Sequence, residues 1–135
     1  MISDFWDAHH RHWEDANFLY DASRWANADH LYGMAAECGL KRLMQVFGMP
    51  IDAMGRPSNK DDRRHVTDIW TRYETYRSGH GQAWYSLPNN PFVDWDVSQR
   101  YARRSEFDQA RVDAHRQGAQ IVRNLLSRVE LEKPI

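Results

Sequence analysis

Residues 24–44, RWANADHLYGMAAECGLKRLM, do most to narrow what this chain can fold into. At helical spacing the stretch is apolar almost all round, with Leu31, Tyr32, Ala35, Ala36, Cys38, Leu40 and Leu43, and Val46 and Phe47 beyond. One line interrupts that surface. His30, Glu37 and Lys41 fall on a single narrow strip of the circumference. A helix this apolar is buried on most sides, so its ionisable strip must be paired internally or serve a site. The i, i+4 spacing of Glu37 and Lys41 favours simple pairing, a network that fixes helix register. The alternative is a cleft for a ligand or RNA.

Three further helices are read on either side. Ser3 or Asp4 caps a first helix to about Ala22, whose inner stripe is Phe5, His9, His12, Ala16, Leu19 and Tyr20, with Trp13 at its margin. The loop GMPIDAMGRPSNKDD follows the second helix. A third helix spans about Asp61 to Arg77, with Val66, Ile69, Trp70, Tyr73 and Tyr76 on one face. A second loop, unusually aromatic, is predicted to pack onto the bundle through Trp84, Tyr85, Phe92 and Trp95. Asp96 and Gln99 have capping-box spacing, and a last helix is read from there to about Glu130, along Phe107, Ala110, Ala114, Gly118, Ile121, Leu125 and Val129. Continued back through Arg100, that helix turns the guanidinium inward, where Glu37 is the obvious partner. Four helices and no strand alternation predict an all-α, antiparallel up-and-down bundle, one domain over residues 1–135.

Composition limits the function classes. A net charge of −1 gives no global field toward nucleic acid or membrane. The cations are 15 Arg against 3 Lys, which suits structural ion pairs first and a phosphate-bearing ligand second. Cys38 is the only cysteine, so an intrachain disulfide and a thiolate cluster are both excluded, and its apolar setting predicts an inert thiol. The N-terminus lacks a signal-peptide pattern and no stretch is long enough to span a membrane, so a soluble, cytoplasmic protein is expected.

The central helix, the preceding HRHWEDANFLYDASRW and the later NPFVDWDVSQRYA together resemble the HEPN superfamily of small helical bundles, over about residues 5 to 130. The resemblance implies a non-catalytic module binding a nucleotide, RNA or a protein partner, often as a homodimer. It also implies association with a nucleotidyltransferase or antitoxin in toxin–antitoxin or defence systems. No cofactor is implied.

HEPN ribonucleases carry an Arg, four to six intervening residues and a His, and here Arg24 and His30 fit that spacing. Such a pair joins a proton-transferring imidazole to a guanidinium that stabilises phosphorane charge, giving a metal-independent endoribonuclease as the alternative. The match departs from the family pattern by opening the second helix and by having Trp25 after the Arg. Residues expected at a binding cleft are His30, Glu37, Lys41, Arg100 and Tyr101. Arg100, Arg103, Arg104 and Arg111, interleaved with Glu106, Asp108 and Asp113, read first as a salt-bridged face and second as a nucleic-acid contact. A metal site on His9, His12, His30 and Glu37 is a third, weaker reading.

Overall fold

The computed structural model describes residues 1–80 and 85–132, and Trp84, expected in the aromatic loop, lies outside them. Four helices carry the fold: α1 (Phe5–Asp21), α2 (Trp25–Val46), α3 (Val66–Arg77) and α4 (Gln109–Glu132). Short 3₁₀ turns occupy Lys60–Asp62, Ser78–His80, Val97–Tyr101 and Arg104–Glu106. Among the described residues there is no strand, only an isolated bridge between Ile51 and Pro57.

Asp4 caps α1 by accepting the Asp7 N–H at 2.9 Å. At the other end the chain reverses in three residues. Arg24 N–H donates to Leu19 O and Ser23 N–H to Tyr20 O, while Ser23 takes a left-handed φ of 59°. That is the Schellman arrangement, with serine where glycine is the usual choice.

α2 lies at the centre. Its Ala28, Tyr32, Ala35, Ala36, Leu40, Leu43 and Met44 are fully buried, as the apolar circumference predicts. Trp13 and Ala16 of α1 meet them, with Trp13 inside the core, not at its margin. At Gly39 an added Cβ would stand 2.6 Å from Val122 Cγ1 and 2.9 Å from His9 Nδ1, so three helices converge where a side chain has no room.

Contacts between helices give their direction. His9 meets Ala35 and Tyr32 bonds Asn17, so α1 and α2 run in opposite senses. Glu37 meets His65 and Phe47 meets Tyr73, while Asp29 meets His115 and Gly39 meets Val122. By these pairs α3 and α4 run in the same sense as α2. Up-and-down alternation therefore holds from α1 to α2 and not from α2 to α3, because the long connections return the chain before each later helix starts.

Two boundaries differ from the sequence reading. The expected third helix splits, with Asp61 and Asp62 in a separate 3₁₀ turn. The capping box at Asp96 and Gln99 is present, but it caps the five-residue turn Val97–Tyr101 and not the last helix. The backbone is extended at Ala102 and Arg103, and Asp108 then starts α4 by accepting the Arg111 N–H at 2.9 Å. Phe107, Gly118, Leu125 and Val129 are buried as the spacing predicts, but Ala110 and Ala114 are exposed and Ile121 is half-buried, while Val112, His115, Ala119, Val122 and Leu126 complete the inner face of α4.

His9 is fully buried, donating Nδ1–H to Ala35 O at 2.7 Å and facing Arg123 Nη1 through Nε2 at 3.4 Å. Burial pushes its pKa down to about 4. The unfolded chain takes up that proton near pH 6.5 and the folded chain only near 4, so stability falls as pH drops through this window, by roughly 3 kcal/mol in all. We expect acid unfolding followed by circular dichroism to show a shallower loss in His9→Gln. An identical pH dependence in the two proteins would refute this role.

Candidate functional site

The polar strip of α2 is paired inside the molecule. Lys41 Nζ donates to Glu37 Oε2 at 3.1 Å, and both side chains are almost fully buried. His65, just before α3, places Nδ1 2.9 Å from Glu37 Oε1. That bond to Glu37 raises the His65 pKa above its ordinary value. His30 lies half-buried on the same strip, stacked on Trp95 with ring centroids 5.7 Å apart. Burial, then the charge of Arg100, lowers its pKa, and its Nδ1 is buried with no hydrogen-bond partner.

Trp95 joins this strip to a second cluster. Its indole lies flat against Gly33, where a Cβ would stand 2.2 Å from the ring. Its Nε1–H donates to the Asp29 carbonyl at 3.2 Å. The Asp29 carboxylate is inaccessible to solvent and holds three partners. His115 Nδ1 is 2.6 Å from Oδ1, Gln99 Nε2 donates to Oδ2 at 2.7 Å, and Arg111 Nε lies 3.6 Å from Oδ2. The other ring nitrogen of His115 meets Asp94 Oδ1 at 2.7 Å, and Phe92 stacks on the ring face. Burial opposes a charged ring here, but the two carboxylates outweigh it and raise the His115 pKa. With a carboxylate at each nitrogen, the imidazolium is the form that satisfies both.

A cavity of about 480 Å³ opens beside this cluster, at the first turn of α2. Its walls are Ser23, Arg24, Trp25, Ala26 and Asn27 on one side and Gln99, Arg100, Ala102 and Arg104 on the other. None of the lining residues is acidic. Arg24 and Arg104 form no ion pair among the described residues, and Arg100 only lies over the Tyr101 ring, 4.9 Å from its centroid. Unpaired guanidiniums around one cavity repel each other and attract an anion.

The expected site residues are thus divided. His30, Glu37 and Lys41 share the strip as the spacing requires. Arg100 and Tyr101 are exposed on the turn Val97–Tyr101; Arg100 reaches the strip only through its charge on His30, and Glu37 takes Lys41 and His65 in place of Arg100. Arg24 precedes the first turn of α2 and lines the cavity, while His30 stacks on Trp95. Arg24 is the N-cap residue with non-helical backbone, so helical spacing does not relate its side chain to that of His30. Of the interleaved arginines, only Arg111 forms ion pairs among the described residues, and its partners are Asp94 and Asp29, not Glu106, Asp108 or Asp113 as a salt-bridged face would have them.

The four residues of the metal reading are not gathered, since His9 is turned to Ala35 and Arg123. Among the described residues no group of three or more His, Cys, Asp or Glu is placed to hold a metal. Cys38 is buried, and burial pushes its thiol up to about 12, as an inert side chain requires.

Sequence reasoning does not single out Asp29 or His115. Asp29 is an acidic residue on an otherwise apolar helix, and His115 has helical spacing with Val112, Ala119 and Val122. Those signals become legible only with the register of α4 in hand.

No family model matches the chain, and neither a curated protein nor a solved structure matches it.

Because Trp95 occupies the space over Gly33, Gly33→Ala forces the indole off α2. We expect a loss of about 1–3 kcal/mol in urea unfolding, with tryptophan emission shifted to the red. Unchanged stability and emission would show that Trp95 does not depend on this contact.

Proposed function

We propose that this chain is a HEPN-like, non-catalytic binding module whose ligand carries phosphate, as a nucleotide or RNA, held in the arginine-lined cavity at the start of α2. One observation carries the reading: Arg24, Arg100 and Arg104 line one cavity whose wall holds no acidic residue. Guanidiniums suit phosphate by forming two parallel hydrogen bonds to its oxygens. Trp25 and Asn27 in the same wall supply an aromatic surface and an amide for a base. The membership in HEPN, a homodimer, a nucleotidyltransferase or antitoxin partner and a cytoplasmic setting belong to this proposal through the sequence resemblance. No helix of the described residues is long and apolar enough to cross a membrane.

A second reading, a metal-independent endoribonuclease using Arg24 and His30, is favoured by one observation. Burial and the charge of Arg100 keep His30 toward its neutral form, the form that accepts a proton.

Fluorescence anisotropy with a labelled single-stranded RNA tests both. We expect binding to weaken at least about tenfold when Arg24, Arg100 and Arg104 are all replaced by Ala. The slope of log affinity against log salt should flatten by about 2, at roughly 0.7 for each phosphate no longer neutralised. Equal affinity and slope in the variant and the parent would overturn the cavity as the site. RNA shortened by the parent but not by a folded His30→Ala would replace the binding module with the nuclease.

A further inference from the structure

The arginine cavity is built on a wall that is held from beneath. Gln99 lines it and adjoins Arg100, and the Gln99 side chain is occupied at both ends. Its Oε1 accepts the Asp96 N–H at 3.2 Å and its Nε2 donates to buried Asp29 at 2.7 Å. The turn carrying Arg100 is therefore anchored to α2 through Asp29, and Asp29 is balanced by His115. A buried carboxylate and imidazole are costly to desolvate, and well-packed apolar residues serve stability at least as well. Such a pair makes sense where position matters more than stability.

We propose that Asp29 and His115 are positioning residues for the arginine cavity, and that their network with Asp94 and Gln99 is complete only while both ring nitrogens of His115 carry protons. The groups facing His115 are Asp29 from α2, Asp94 from the connection before α4, and Arg111 from α4 itself, which reaches both carboxylates. When His115 loses a proton, one carboxylate faces a bare nitrogen lone pair. Asp29 is fully enclosed, whereas the Asp94 side chain is 55 % exposed. Asp94 is the one that lets go of the ring, which loosens the link from α4 to the turn carrying Arg100, while Thr67 keeps Phe92 and Trp95 in place through their carbonyls. The raised His115 pKa sets the direction: the network is intact below the ordinary histidine value and is lost as pH rises through the folded one.

This inference rests on the cavity reading above, so its test separates the two. The probe is a labelled oligoadenylate with a free 5′ hydroxyl, whose phosphodiester charge stays constant between about pH 6 and 9. We expect affinity to fall at least about threefold as pH rises across that range. Asp94→Asn, at an exposed position, should move the midpoint to lower pH, and His65→Gln, outside the cavity, should leave it in place. A flat profile in the parent, or an unmoved midpoint in Asp94→Asn, overturns the proposal. If the oligoadenylate does not bind at any pH, the cavity reading fails and the positioning is read without ligand. NMR shifts of the Gln99 side-chain amide and the Arg100 backbone amide must then follow the His115 titration, and shifts that ignore it overturn the proposal.

Discussion

The carboxylate of Asp29 is sealed from water, and much of the surrounding structure is arranged around that fact. An uncompensated charge at such a place costs several kcal/mol. His115 must therefore face it, which fixes the rotation of α4 about its axis. Gln99 must reach it, which fixes the turn Val97–Tyr101. Its own backbone carbonyl takes the Trp95 N–H, which fixes the path of the aromatic connection. A one-residue slip of α4 would take both cations, His115 and Arg111, from Asp29 and leave it only the neutral Gln99, so only one register of the bundle is acceptable.

Glycines mark where other elements close onto the helices. Gly33 receives Trp95, Gly39 receives His9 and Val122, and Gly118 of α4 receives Pro91 and Phe92, with 2.6 Å from Pro91 Cγ to an added Cβ. The aromatic connection is thereby pressed onto two helices at once. It behaves as part of the core, with Tyr85, Phe92 and Trp95 nearly or wholly buried. That rigidity allows guanidiniums of like charge to be held around a cavity despite their repulsion. The cations sit on the outside of a wall whose inner carboxylates are already balanced by His115 and Arg111.

What can be read in advance follows the range of each interaction. Glu37 and Lys41 are neighbours on one helix, so spacing alone joins them. The apolar circumference of α2 likewise foretells its central burial, and the clustered aromatics foretell that their loop folds down onto the helices. The last helix is misread because Asp96 and Gln99 form a true capping box on a helix that stops within two turns. No glycine or proline marks the break between Ala102 and Phe107. That false continuity turns Arg100 inward. The cavity depends on residues far apart along the chain, and nothing local in the sequence brings Arg24 to Arg104. His65 escapes notice as the second partner of Glu37 for the same reason.

The direction of the helices has a consequence for how the molecule assembles. α1 and α2 close as neighbours through a three-residue corner, at little entropic cost. The bond from Asp29 to His115, by contrast, closes a loop of 86 residues, for which the length-dependent cost is roughly 4 kcal/mol. Until α4 docks, the central helix holds an acid with no cation to answer it. The interior of α2 is thus left unfinished by the topology, and the last helix in chain order is the one that makes it habitable.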